Sequence, residues 1–150
     1  MDLFFECVCQ ARLKPPVMMG PGPFGVRMFF EVAEGKLEGP RVHGRVLPGG
    51  GDWLLVGTDG WGRMDVRAQF ETDDGAVIYA QFRGVIEMND AVNQALALGQ
   101  ETQFEDQYFR MVPWLETGDP GYSWMNQAAF LGMGRFTSGL AIEYRLYRVT

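Results

Sequence analysis

Polar and apolar residues alternate along most of this chain. From Leu3 to Leu13, the residues Leu3, Phe5, Cys7, Cys9, Ala11 and Leu13 fall on one side. Asp2, Phe4, Glu6, Val8, Gln10 and Arg12 fall on the other. A period of two is the signature of a strand. Lys14-Pro15-Pro16 ends it, because proline brings no N–H to a ladder. The same reading predicts strands over residues 26–32, 41–47, 64–71, 76–84 and 141–149, with Ile142, Tyr144 and Leu146 sharing one face of the last. Trp53 to Gly57 is a short apolar strand. Residues 104–112 and 114–117 form two more, separated by Pro113, and 128–136 another. Thr58-Asp59-Gly60 and Asp74-Gly75 are hairpin signals, since Asp-Gly suits the primed turns that match strand twist.

One segment breaks the alternation. Between Asn89 and Gln100, Asn89 or Asp90 can cap a short helix with Val92, Ala95 and Leu96 as its apolar stripe and Gly99 as its end. Gly20-Pro-Gly-Pro-Phe-Gly25 reads as a loop. It is no phosphate cradle, because no Gly-Lys-Ser/Thr and no strand–loop–helix context follow. Many short strands with turns between them indicate an antiparallel sandwich or barrel rather than βαβ units. The expected fold is all-β: one closed antiparallel barrel of lipocalin-like size with one short helix. The expected organisation is a single domain over residues 1–150, because no repeat, low-complexity tract or long linker divides the chain.

Composition narrows the function. The 150 residues carry a net charge of -6, which gives no footprint for a phosphate backbone, so no nucleic acid partner is expected. No apolar run approaches the ~20 residues of a membrane helix, and no basic segment precedes the first apolar residues, so neither membrane nor signal peptide is expected. Cys7 and Cys9 sit two apart on one strand and are poorly placed to bridge, which suits a reduced, cytoplasmic protein. With His43 as the lone histidine, they fall short of a zinc set. No dinucleotide fingerprint or Ser-His-Asp set is present, so no cofactor and no metal are expected.

The candidate chemistry is then acid–base. In Pro48-Gly49-Gly50-Gly51-Asp52-Trp53, glycines that permit an unusual turn deliver an acid and an indole together. Desolvated by its neighbours, Asp52 is a candidate general acid or base; its plainer role is a turn residue bonding its own backbone. Asp65 and Arg67 share one strand face, and Tyr79 lies across the hairpin on a corresponding face. They either line a cavity or simply face solvent. Arg110 and Glu116 flank Pro113 and form either an ion pair or, through Arg110, an oxyanion contact. Tyr122, Trp124 and Asn126 stand at alternate positions, as a stacking wall with an orienting amide or as rim packing. Arg41 and Trp53 complete the expected ligand-binding set, and His43 reads as a solvated strand residue.

Gly39-Pro-Arg41, Gly44, Gly50-Gly-Asp-Trp53, Asp59-Gly60, Asp65, Arg67, Asp74-Gly75, Ile78-Tyr79, Gly84, Tyr108-Phe-Arg110, Pro113, Glu116-Thr117-Gly118, Tyr122, Trp124, Asn126 and Gly132, taken in order, resemble the DUF3237 family, also called UPF0311. The resemblance spans nearly the whole chain. It implies a compact antiparallel β-barrel and implies little about activity.

The expected function is therefore a cofactor-independent isomerase, lyase or cyclase acting on a small organic molecule. Asp52 or Asp65 would move the proton, and Arg67, Tyr79 or Arg110 would hold an oxyanion. Trp53, Tyr122 and Trp124 would shape the cavity. The alternatives are a non-catalytic ligand-binding barrel or carrier, and a homo-oligomeric assembly module that buries exposed aromatics such as Phe4 and Phe29.

Overall fold

The computed structural model describes all residues from Met1 to Thr150. Its strands run in sequence as β1 (Leu3–Leu13), β2 (Val17–Gly22), β3 (Gly25–Glu38), β4 (His43–Val46), β5 (Gly51–Val56), β6 (Trp61–Thr72) and β7 (Val77–Glu87). The helix α1 (Asp90–Leu98), β8 (Phe109–Thr117), a 3₁₀ helix (Pro120–Gln127), β9 (Ala129–Thr137) and β10 (Ala141–Val149) follow. Every ladder is antiparallel, as short hairpin links demand. The sheet passes from β1 through β10, β9, β8, β7 and β6 to β3, and β3 pairs back with β1, so it closes into the expected barrel.

One position in the barrel wall is shared. β4 bridges the C-terminal part of β3 to the end of β6, at Gly35↔Val46 and Val46↔Phe70. β5 bridges the N-terminal part of β3 to the start of β6, at Phe30↔Asp52 and Asp52↔Val66. The two are halves of one strand interrupted by the Leu47–Gly50 turn. That interruption lies next to Asp52.

Strand parity fills the interior. Cys7, Cys9, Ala11 and Leu13 of β1, Met64, Val66, Ala68 and Phe70 of β6, and Ile142, Tyr144 and Leu146 of β10 are all buried in one core. The parity of β1 changes at a bulge between Phe5 and Cys7. An extra residue reverses the side-chain order, so Glu6 is buried while Leu3 and Phe5 face out.

The helix α1 has the predicted caps. The Asn89 side chain accepts from the Val92 N–H, and Gly99 closes the helix in the left-handed conformation with φ +68°. Val92 and Ala95 turn inward. Three features depart from expectation. The Gly20–Gly25 segment is not a free loop but part of the β2–β3 hairpin, with Met18 opposite Met28. Pro113 does not split its strand: β8 runs through it, with Pro113 opposite Phe82. A proline is tolerated there because β8 pairs with β9 only at Arg110 and Met111, so one side of the strand needs no further donor. Residues 120–127 form a 3₁₀ helix instead of an extended segment, started by Asp119 accepting from the Gly121 N–H.

Candidate active site

The glycine run dictates where Asp52 points. Gly49 has φ +97°, a conformation open to glycine and strained for other residues. A methyl group on Gly50 would collide with the Arg67 carbonyl oxygen, and one on Gly51 with the Phe29 ring and the Phe30 carbonyl. The chain therefore crosses tightly between β3 and β6 and re-enters the wall with Asp52 on the inner face, level with Phe30 and Val66. The β5–β6 ladder pairs Asp52 with Val66 and resumes at Leu55 with Arg63, leaving Asp65 between. There the Asp65 N–H donates to the Asp52 carboxylate at 3.0 Å. A side chain has taken the place of a strand partner.

Asp52 faces a cavity inside the barrel with Leu13, Phe30, Leu54, Val66, Ile86 and Leu96 among its walls. Twelve of the fourteen lining residues are apolar or aromatic, and the two others are Gly51 and Asp52. Tyr144, from β10, lines the same space and carries the second polar group there. Its ring is held edge-on to Phe82 and Phe109, with centroids 5.9 and 5.6 Å away. No Lys, Arg or His lines the cavity. The free space is about 40 Å³, enough for about one water. An organic ligand must therefore displace side chains such as Leu54, Met64 or Leu96.

This setting controls protonation. Asp52 as a residue keeps intermediate exposure, but burial of its surroundings pushes the carboxyl from 3.8 to about 7; the Asp65 N–H opposes the rise, and the Asp65 charge adds to it. Burial also pushes the Tyr144 hydroxyl well above its ordinary value, and the nearby Asp52 charge adds to that. Near neutral pH, Asp52 is thus poised between acid and base, while Tyr144 remains a neutral donor. Tyr144 is the group that the sequence reading missed. Its one signal was a phenol in the inward row Ile142, Tyr144, Leu146, where each neighbour is aliphatic.

The other expected site residues lie outside this cavity. The Asp65 carboxylate is on the outer face, 3.9 Å from Arg83 Nε. Arg67 and Tyr79 do come together, but in an outer groove with Gly49, Gly50 and Gln69. Arg110 lies on the outer face of β8, where it bonds the Phe109 carbonyl oxygen at 3.1 Å and leans over the Tyr108 ring. The cause is parity: Asp52 shares the face of Val66, so Asp65 and Arg67 must point the opposite way. Trp53 points outward and stacks on Phe29 at 4.4 Å. Glu116 and His43 are exposed.

The remaining candidates gather around the 3₁₀ helix. Because that segment is helical, Tyr122, Trp124 and Asn126 do not share a strand face. Tyr122 donates to Asp74 at 2.9 Å. Asn126 accepts from the Thr117 N–H at 2.8 Å and donates to the Thr117 carbonyl at 2.9 Å, tying the helix to β8. Arg41 lies 3.7 Å over the Trp124 ring and pairs with buried Glu6. Arg148 bonds the same carboxylate at 2.7 Å. Burial alone would raise the Glu6 carboxyl, but these two arginines more than reverse it and hold it below its ordinary value. Cys7 and Cys9 are free and buried, and burial pushes the Cys9 thiol up to about 12, so it is unreactive. No group of three or more His, Cys, Asp or Glu side chains is placed to hold a metal ion. No helix is long and apolar enough to cross a membrane.

Other proteins share this barrel. A UPF0311 protein of Rhodopseudomonas palustris (strain TIE-1) is 33% identical over 122 residues, which is 81% of this chain and 80% of that protein. The crystal structure of a β-barrel-like protein from Acinetobacter baumannii is 31% identical, with a TM-score of 0.84 over 99% of this chain and 96% of that one. A Penicillium herquei chain described as an enzyme is 19% identical, with a TM-score of 0.72 over 97% of this chain and 93% of that one, a likeness of fold alone. The model of a family described as a protein of unknown function, DUF3237, matches residues 1–149. With that match over nearly its whole length and a relative 33% identical, the chain belongs to the DUF3237 (UPF0311) family.

Proposed function

We propose that this protein is an acid–base enzyme acting on a small organic molecule inside the barrel, in the class of isomerases, lyases or cyclases. Asp52 is the group that takes and returns a proton. Tyr144 is the hydrogen-bond donor to the oxygen on which charge develops. The observation that carries this reading is the inward Asp52 carboxyl, held by one backbone N–H among apolar walls and raised to about 7. An acid that is half-ionised at neutral pH can serve both directions of a proton transfer. Arg67, Tyr79 and Arg110, placed outside, take no part in this chemistry.

A carrier is the second reading, and the preponderance of apolar walls favours it. One experiment separates the two. Wild-type protein and Asp52→Asn are each incubated with a bacterial small-molecule extract, and bound and free compounds are compared by mass spectrometry. The enzyme reading predicts a compound consumed and a product formed by the wild type alone. A carrier retains the same compounds unchanged in both proteins, and that result would sink the enzyme reading.

A further inference from the structure

We infer that the substrate is an uncharged, enolisable ring ketone, whose α-proton Asp52 removes while the Tyr144 hydroxyl bonds the carbonyl oxygen. This names the substrate class of the site above and rests on the acid–base reading of Asp52.

Charge is the first argument. The cavity walls contain Asp52 and Tyr144 and no Lys, Arg or His. A ligand carboxylate or phosphate would enter low-dielectric space with no compensating cation and with an acid for a neighbour, at a cost of several kcal/mol. A cationic ligand is disfavoured for a related reason: its sole counter-charge would be the carboxyl that must accept the proton. The walls therefore exclude a phosphate or carboxylate from the cavity itself.

Shape is the second argument. Phe30, Phe109, Phe136 and Tyr144 supply four ring faces or edges around the space. A flat cyclic ligand meets such walls with more contact than a flexible chain, and it loses less conformational freedom on entering. Because the unoccupied space is about 40 Å³, such a ligand enters only as lining side chains such as Leu54, Met64 or Leu96 are displaced.

The polar pair defines the chemistry. In the ionised form, the Asp52 carboxylate takes a proton from the carbon next to the carbonyl. The C–H bond breaks, an O–H bond forms on Asp52, and the C–H electron pair moves into the enolate. The enolate oxygen accepts the Tyr144 hydroxyl hydrogen bond. Asp52 then returns its proton, either to the same carbon or, in a β,γ-unsaturated ketone, to the γ-carbon two positions further along, which leaves the double bond conjugated with the carbonyl. Nothing is oxidised or reduced, and the carboxylate is regenerated. Tyr144 suits the donor role, because its hydroxyl makes no hydrogen bond to protein while its ring is fixed by Phe82 and Phe109.

The test uses the purified full chain in heavy water with uncharged ring ketones of one, two and three fused rings, such as cyclohexanone and β-tetralone. A ring-carboxylated β-tetralone is run beside them. Deuterium uptake next to the carbonyl is followed by proton NMR. The expected result is uptake well above the buffer rate for at least one uncharged ketone, with none for the carboxylated analogue. Asp52→Asn should abolish the enhancement. Tyr144→Phe keeps the ring packing and should lower it about 100-fold. Folding of both variants is verified by circular dichroism. Equal uptake by the carboxylated ketone would overturn the inference, and so would buffer-rate exchange of every uncharged ketone. If the extract experiment shows Asp52-dependent turnover while the ketones stay inert, the substrate class falls and the acid–base reading stands. If neither shows Asp52-dependent chemistry, both fall.

Discussion

Asp52 holds its place at the expense of stability. A carboxyl whose folded value is raised from 3.8 to about 7 favours the protonated native state. As pH rises between those values, the unfolded chain has given up its proton and the folded chain still holds one. Stability therefore falls through that window, and the full penalty, at most on the order of 4 kcal/mol, is present above it. Asp52→Asn removes the titration while keeping an oxygen for the Asp65 N–H. The variant should melt several degrees higher than wild type at about pH 8 and about equally at about pH 4. Equal melting temperatures at both pH values would remove the case for a desolvated carboxyl. A stabilising change that abolishes the proposed chemistry is the trade-off expected at a functional site. Glu6 has the opposite sign. Its carboxyl is held low by Arg41 and Arg148, so it stabilises the protein above the ordinary carboxylate range and loses that effect as pH falls through its folded value. With Arg41 partly in water, Glu6→Gln should cost about 1–3 kcal/mol at neutral pH, and the difference should shrink in acid when followed by urea denaturation at each pH.

At the scale of elements, the Leu47–Gly50 interruption, with Gly51 at the start of β5, and α1 frame the cavity. Gly51→Ala forces a methyl group against the Phe29 ring and the Phe30 backbone. Such overpacking costs about 1–3 kcal/mol. It should also move Asp52 off the Asp65 N–H and bring its titration back toward the ordinary carboxylate value, as read by carbon-13 NMR. The cap of α1 also ties it to the loop before β8, because Asn89 accepts from Val92 and donates to the Asp106 carbonyl at 2.8 Å. Asn89→Ala should therefore destabilise α1 by about 1 kcal/mol. Amide exchange should speed up within residues 90–98 and stay unchanged in β6 and β7; uniform change would mean that α1 has no separate stability. Both devices were visible as residue patterns. The glycine run announced a tight crossing, and Asn89 with Gly99 bracketed a helix. What the pattern could not give was direction. Counting parity across Gly49–Gly51 requires knowing that β4 and β5 are one interrupted strand, and without that count Asp52 cannot be assigned to the face of Val66 rather than of Asp65.

For the whole molecule, alternation made the closed barrel legible, since each inward row needs an opposing row to bury it. The parts that stayed hidden obey other rules. β2 does not alternate, because Val17, Met18 and Met19 are all exposed on the outer hairpin. The 3₁₀ helix is too short to establish a period and is set by Asp119, Pro120 and the Asn126 amide instead. The site was half legible. Asp52 could be singled out locally, whereas Tyr144 sits 92 positions away and joins it only because the barrel closes. Asp65, Arg67, Tyr79 and Arg110 carry suitable chemistry, yet closure turns them outward, away from the Asp52 cavity.

The account depends on the protonation of one side chain. The most direct measurement is a carbon-13 NMR titration of aspartate-labelled protein, with the Asp52 carboxyl assigned by its loss in Asp52→Asn. The prediction is a midpoint near 7, well separated from Asp59 and Asp74, whose carboxyls are held below the ordinary value by their hydrogen-bond partners. A midpoint near 4 would mean that Asp52 is solvated and ionised throughout the neutral range, and the proposed acid–base role would be contradicted.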